Sequence, residues 1–141
     1  MQPSKAYIIR VEGHEESEEK AAHCAESCDK AGQEWEYWEA YNGLDGELKA
    51  PSHHNAIMEC LKVTDHYMTR GEVACALSHI SLWAKCVIED QPLIVLEHDA
   101  VMVEKYEHHA VYNSICYLGG HEQVKQGWQV LPTPPHASEG P

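Results

Sequence analysis

The stretch Arg70–Val103 reads RGEVACALSHISLWAKCVIEDQPLIVLEHDAVMV, and three patterns in it decide the fold. Thr69 precedes Glu72 by three residues, the spacing of a capping box that starts a helix. Val73, Leu77, Ile80, Ala84 and Val87 then recur at helical spacing, with Ala76 and Trp83 filling the same face, so the segment predicts a helix packed on a surface. After a break at Asp90-Gln91-Pro92, the run Leu93-Ile94-Val95-Leu96 has the length and continuous apolarity of a strand covered on both faces. It stops at Glu97-His98-Asp99, three groups able to hold a cation. Open α/β sheets place their ligands where strands end in this way.

The chain before this stretch reads as β-α-β. Lys5–Val11 is rich in β-formers and predicts an opening strand. Glu15–Ala31 predicts a helix with a small-residue face of Ala21, Cys24, Ala25, Cys28 and Ala31, and Gly32 is its natural stop. Trp35–Ala40 predicts a second strand, followed by turn chemistry in Tyr41-Asn42-Gly43-Leu44-Asp45-Gly46. Pro51-Ser52 starts a short helix through Leu61, and Thr64–Thr69 is a loop. Beyond the acidic triplet, Val101–His109 reads as loop and short helix, and Ser114–Gly120 as a further strand ending in glycines. The proline-rich end, Gly127–Pro141, predicts an extended or disordered tail behind a domain of residues 1–126.

Length and composition agree with one modest domain: 141 residues, 43% hydrophobic and 23% charged. With 10 basic against 23 acidic side chains the formal charge is −13, which argues against binding nucleic acid. Much of the acidity lies in Glu12–Glu39, a solvated helix face in the simplest reading. The N-terminus lacks the apolar core of a signal peptide, and no transmembrane segment is expected. The six cysteines have no disulfide-framework spacing and are expected to be reduced, mostly buried thiols of a cytoplasmic protein.

Several residues have a plain structural reading. Cys24 and Cys28, one helical turn apart beside His23, fall short of a four-ligand site and read as core. The pairs His53-His54 and His108-His109 are adjacent residues in polar stretches, which rarely converge on one ion. Ser78 and His79 sit mid-helix, where a serine often bonds back to its own helix; holding the acidic loop from a distance and contacting a ligand both remain open. Glu72 reads as a cap and Trp83 as core.

Gly71-Glu72-Val73-Ala74-Cys75-Ala76-Leu77-Ser78-His79, followed by Leu96-Glu97-His98-Asp99, resembles glycosyltransferase family 25, which includes lipooligosaccharide and collagen galactosyltransferases. The opening strand Tyr7-Ile8-Ile9-Arg10-Val11, the segment Trp35–Gly43 and the Leu118-Gly119-Gly120 end are similar to the family as well. The likeness covers roughly residues 5–120, the front part of a typical family domain, and implies either a fragment or a reduced relative. Three positions depart from the pattern: Arg10 replaces an Asn, His98 replaces an Asp, and no Arg falls within Glu12–Glu19.

The resemblance implies an α/β fold, a Rossmann-like half of an A-type glycosyltransferase domain with a mostly parallel sheet. It implies transfer of a hexose, galactose-like, from a UDP-sugar to a saccharide or hydroxylated acceptor. Glu97 and Asp99 would hold Mn²⁺ or Mg²⁺, and Ile9, Arg10, Val11, Tyr41, Asn42, Ser78, His79 and His98 would line the nucleotide-sugar site. The residue acting as catalytic base is not placed. The other reading is a truncated, inactive relative serving as a nucleotide-binding or protein-interaction module. A third is assembly as a homodimer through apolar surface left uncovered.

Overall fold

A computed structural model of the chain describes residues 3–45, 47–52, 68–107 and 115. The expected helix after Pro51, the strand Ser114–Gly120, the tail, both histidine pairs, Cys60 and Cys116 lie wholly or largely outside these residues. The chain divides into a unit of Met1–Tyr106 and a second of Glu107–Pro141. In the first, the elements run β1 (Lys5–Arg10), α1 (Glu15–Ala31), β2 (Glu34–Glu39), α2 (Arg70–Glu89) and β3 (Ile94–Glu97). The fold is α/β and Rossmann-like. Its sheet has three strands in the order β2-β1-β3, both pairings parallel.

Strand alternation sorts β1 into two faces. Tyr7 and Ile9 turn towards α2 and pack with Ala40 and Leu82, flanked by Trp38, Val95 and Leu93. Ala6 and Ile8, both fully buried, take the opposite face, on the side of α1. There α1 buries Ser17, Ala21, Cys24, Ala25 and Cys28, small side chains that let helix and sheet approach closely. Cys24 and Cys28 are core residues, as their spacing predicts. Burial pushes the Cys24 thiol up to about 12, with the neighbouring Cys28 adding to the shift. α1 ends at Gly32, whose φ of 71° is the left-handed conformation that glycine adopts without penalty.

The capping box of α2 forms as expected. The Thr69 hydroxyl accepts the Glu72 N–H at 3.2 Å, and the Glu72 carboxylate accepts the Thr69 N–H at 2.7 Å. The rotational setting of α2 differs from the expected stripe. Val73 and Leu77 are buried, but the rest of the inner face is Ala74, Ser78, Ser81 and Leu82. Trp83 is 45% and Val87 80% exposed. Two serines turn inward because each satisfies a polar group there. Ser78 Oγ donates to Ala74 O at 2.8 Å and accepts the Tyr41 N–H at 2.9 Å. Ser81 Oγ donates to Ser78 O at 2.7 Å and accepts Trp38 Nε1–H at 2.8 Å.

By length and composition, α2 is apolar enough to cross a membrane, although no such run was expected. The core helix of a globular domain passes the same test, and α2 buries Val73, Ala74, Leu77 and Leu82 within its own unit. Of the expected loop and short helix over Val101–His109, residues 108–109 lie outside the described residues, and the segment 101–107 is loop without helix. Its backbone donors are engaged elsewhere: Met102 N–H with Ser27 Oγ at 2.8 Å, and Tyr106 N–H with Gln33 Oε1 at 3.2 Å.

Candidate functional site at the carboxyl ends of β1 and β3

With β1 in the middle, the chain leaves it towards β2 on one side and returns to it as β3 on the other. The crevice at the carboxyl ends of β1 and β3 is therefore the topological switch point, where α/β sheets bind ligands. Glu97 pairs in register with Ile9, so its side chain points to the α2 face. His98 follows and turns to the α1 face. A tight turn, closed by Ala100 N–H on Glu97 O at 3.0 Å, carries Asp99 into solvent.

On the α2 side, Glu97 Oε1 lies 3.2 Å from His79 Nε2 and 4.0 Å from Cys75 Sγ. All three ligand-bearing atoms lie within 4.8 Å of one another. Cys75 and Glu97 are exposed and His79 is half-buried, with side-chain exposures of 26% for His79 and 58% for Glu97. Burial raises the Cys75 thiol above its ordinary value, and the Glu97 charge adds to the effect. Among the described cysteines, Cys24 and Cys28 are buried as expected, whereas Cys75 is exposed and Cys86 half-buried. Sequence pattern alone does not mark Cys75 as a ligand, although its four-residue spacing to His79 places both on one helix face.

On the α1 side, His98 Nδ1 meets Ser17 Oγ at 3.1 Å, and the same hydroxyl accepts the Val11 N–H at 2.9 Å. At the N-terminus of α1, one donor of the first turn and one just before the cap are engaged by its own side chains. His14 Nδ1 accepts the Ser17 N–H at 3.3 Å, and Glu18 accepts the Gly13 N–H at 2.9 Å. Glu15, Glu16 and Glu18 make this first turn acidic. Lys20 bonds Glu16, which raises its pKa, and Asp99 contributes a further, weaker pull.

The other residues named from sequence are spread around this crevice. Ile9 and Tyr41 are buried in the core, and Ser78 is committed to Tyr41 and Ala74. Arg10 stacks its guanidinium 3.9 Å over the Tyr37 ring. Asn42 holds its own turn: its Oδ1 accepts the Leu44 N–H at 3.0 Å, and its backbone pairs with Lys49. The turn presses on α2, because a Cβ on Gly43 would fall 2.5 Å from the Arg70 carbonyl carbon and 2.9 Å from Gly71 N. Among the described residues, then, Glu97, His79 and Cys75 are drawn together. His98 is held apart from them, and Asp99 stands outside the group.

A parallel sheet presenting ionisable side chains at its switch point is the arrangement at which α/β domains place their ligand sites. The family model for glycosyltransferase family 25 (LPS biosynthesis protein) matches residues 4–123, and the chain belongs to that family. Membership suggests glycosyltransferase activity and implies a nucleotide-sugar donor and a saccharide acceptor. No curated protein matches the chain.

Proposed function

We propose that the chain is a metal-dependent hexosyltransferase that takes a galactose-like sugar from a UDP-sugar. The observation that carries this reading is the acidic turn Glu97–Ala100 at the β1/β3 switch point, within a family 25 domain. Glu97 and Asp99 are both exposed, and carboxylate oxygens suit Mn²⁺ or Mg²⁺. They would hold the ion, which when bound neutralises charge on the leaving diphosphate. The buried roots of the crevice, Ile9, Tyr41 and Ser78, fix the strand and helix that present these groups.

Calorimetric titration of UDP, with Mn²⁺ and with chelator, tests the proposal alongside Asp99→Ala. Binding that needs the metal and disappears in the variant is the expected result. Silence under both conditions would rule the transferase reading out.

One observation favours the second reading, a catalytically inactive module. In many dinucleotide folds the first helix offers free N–H groups to a diphosphate. Here His14 and Glu18 take part of that role, and three glutamates surround it. In the protein-interaction form of this reading UDP does not bind and the domain works through a protein partner.

A further inference from the structure

Cys75 and His79 face the same way from successive turns of α2, and Glu97 comes to them from the end of β3. We propose that these three side chains form a binding site for a thiophilic divalent cation, zinc above all, with a fourth position open to solvent. The donor set of one thiolate, one imidazole and one carboxylate is unlike the oxygen cage that magnesium requires, and it suits zinc.

The geometry is close to what zinc needs. Zinc bonds of roughly 2.0–2.3 Å at tetrahedral angles give edges of roughly 3.3–3.8 Å. The carboxylate–imidazole edge of 3.2 Å and the carboxylate–thiol edge of 4.0 Å fall either side of that range. All the ligand atoms already lie within 4.8 Å of one another, so modest side-chain rotation closes the site. Two of the ligands stand on a helix fixed by the Thr69–Glu72 capping box and by the Ser78 bond to Tyr41. The third comes from a different element, so an ion here would tie α2 to β3. Partial exposure of the ligands leaves a path for entry and room for water in the fourth position.

The site shares Glu97 with the proposed nucleotide–metal centre. An ion held by Cys75 and His79 would draw that carboxylate away from Asp99. Zinc would then oppose, rather than support, a donor site built on Mn²⁺. Zinc binding itself requires neither nucleotide nor turnover, so it can be measured whether or not the transferase reading holds.

The test is titration of the full chain, stripped of metal and kept reduced, with Co²⁺ and then Zn²⁺ in the absence of nucleotide. The expected result is a thiolate-to-cobalt charge-transfer band that saturates at one equivalent and is abolished by added zinc. Cys75→Ser should remove the band, Cys86→Ser should leave it, and His79→Ala and Glu97→Gln should weaken binding by about tenfold or more. Circular dichroism of each variant confirms folding. As a second readout, zinc should slow alkylation of Cys75, while the buried Cys24 and Cys28 stay unreactive in the native protein with or without the ion. A band that survives Cys75→Ser, or cobalt bound with no thiolate band, would overturn the proposal. Failure of UDP to bind in the separate calorimetric experiment would leave it standing.

Discussion

Glu97 and His79, on the last residue of β3 and the middle of α2, stand 3.2 Å apart across the switch-point crevice. Glu97 is exposed and His79 half-buried, and a pair of this kind adds only about 0–1 kcal/mol to stability. His79→Ala in the presence of chelator should therefore barely move the urea midpoint. A loss above about 2 kcal/mol would mean that the imidazole is a structural strut instead of a group available to a ligand.

The rotational setting of α2 can be tested by two truncations on opposite faces. Leu82 is fully buried beside Tyr7 and Ile9, so Leu82→Ala should cost about 2–5 kcal/mol. Val87 is 80% exposed, and Val87→Ala should stay within about 0.5 kcal/mol. Equal losses at the two positions would restore the stripe expected from periodicity.

The turn after β2 and the start of α2 are in backbone contact. A methyl group on Gly43 would meet the Arg70 carbonyl, which belongs to the main chain and cannot swing aside. Gly43→Ala should destabilise by about 1–3 kcal/mol or more, read from chemical denaturation. Gly71→Ala is the control: its nearest neighbour is Thr69 Oγ1 at 3.9 Å, and a helical alanine there should gain about 0.4–1 kcal/mol.

Acid should loosen the start of α2. Bonds from the Thr69 N–H, and next from its hydroxyl, hold the Glu72 carboxyl below its ordinary value of 4.5. A group with a depressed folded pKa gives its full stabilisation above the unfolded value and loses it as pH falls through the folded one. Wild type should thus lose part of its stability advantage over Glu72→Gln as pH drops below the ordinary carboxylate range. A difference between the two that stays constant from neutral pH to pH values below the folded pKa would contradict the assigned bonds.

Much of the frame was legible because local chemistry and packing agree. Glu15–Ala31 is bounded by Gly32 and by a face of alanines and cysteines, and Thr69 with Glu72 marks the start of α2 within a few residues of sequence. The inner face of α2 was not legible. Serine counts as polar in any periodicity, and Ser78 and Ser81 turn inward for Tyr41 and Trp38, partners 37 and 43 residues away. At the site, the Cys75–His79 spacing was visible, but the residue facing them lies across a crossover. Alternation along β3 already implied that Glu97 and His98 point to opposite faces; what it could not supply was their partners, His79 and Ser17.

The central place of β1 also orders events in time. Its pairing with β2 joins Lys5 to Glu34, whereas its pairing with β3 joins Ala6 to Ile94. A chain emerging from the ribosome can close the first ladder early, but the other edge of β1 stays bare until residue 97 has been made. Closing that longer loop carries the larger entropic cost, and an unpaired edge invites pairing with other chains meanwhile. The interval between the two closures is when a nascent chain of this protein is most in need of a chaperone.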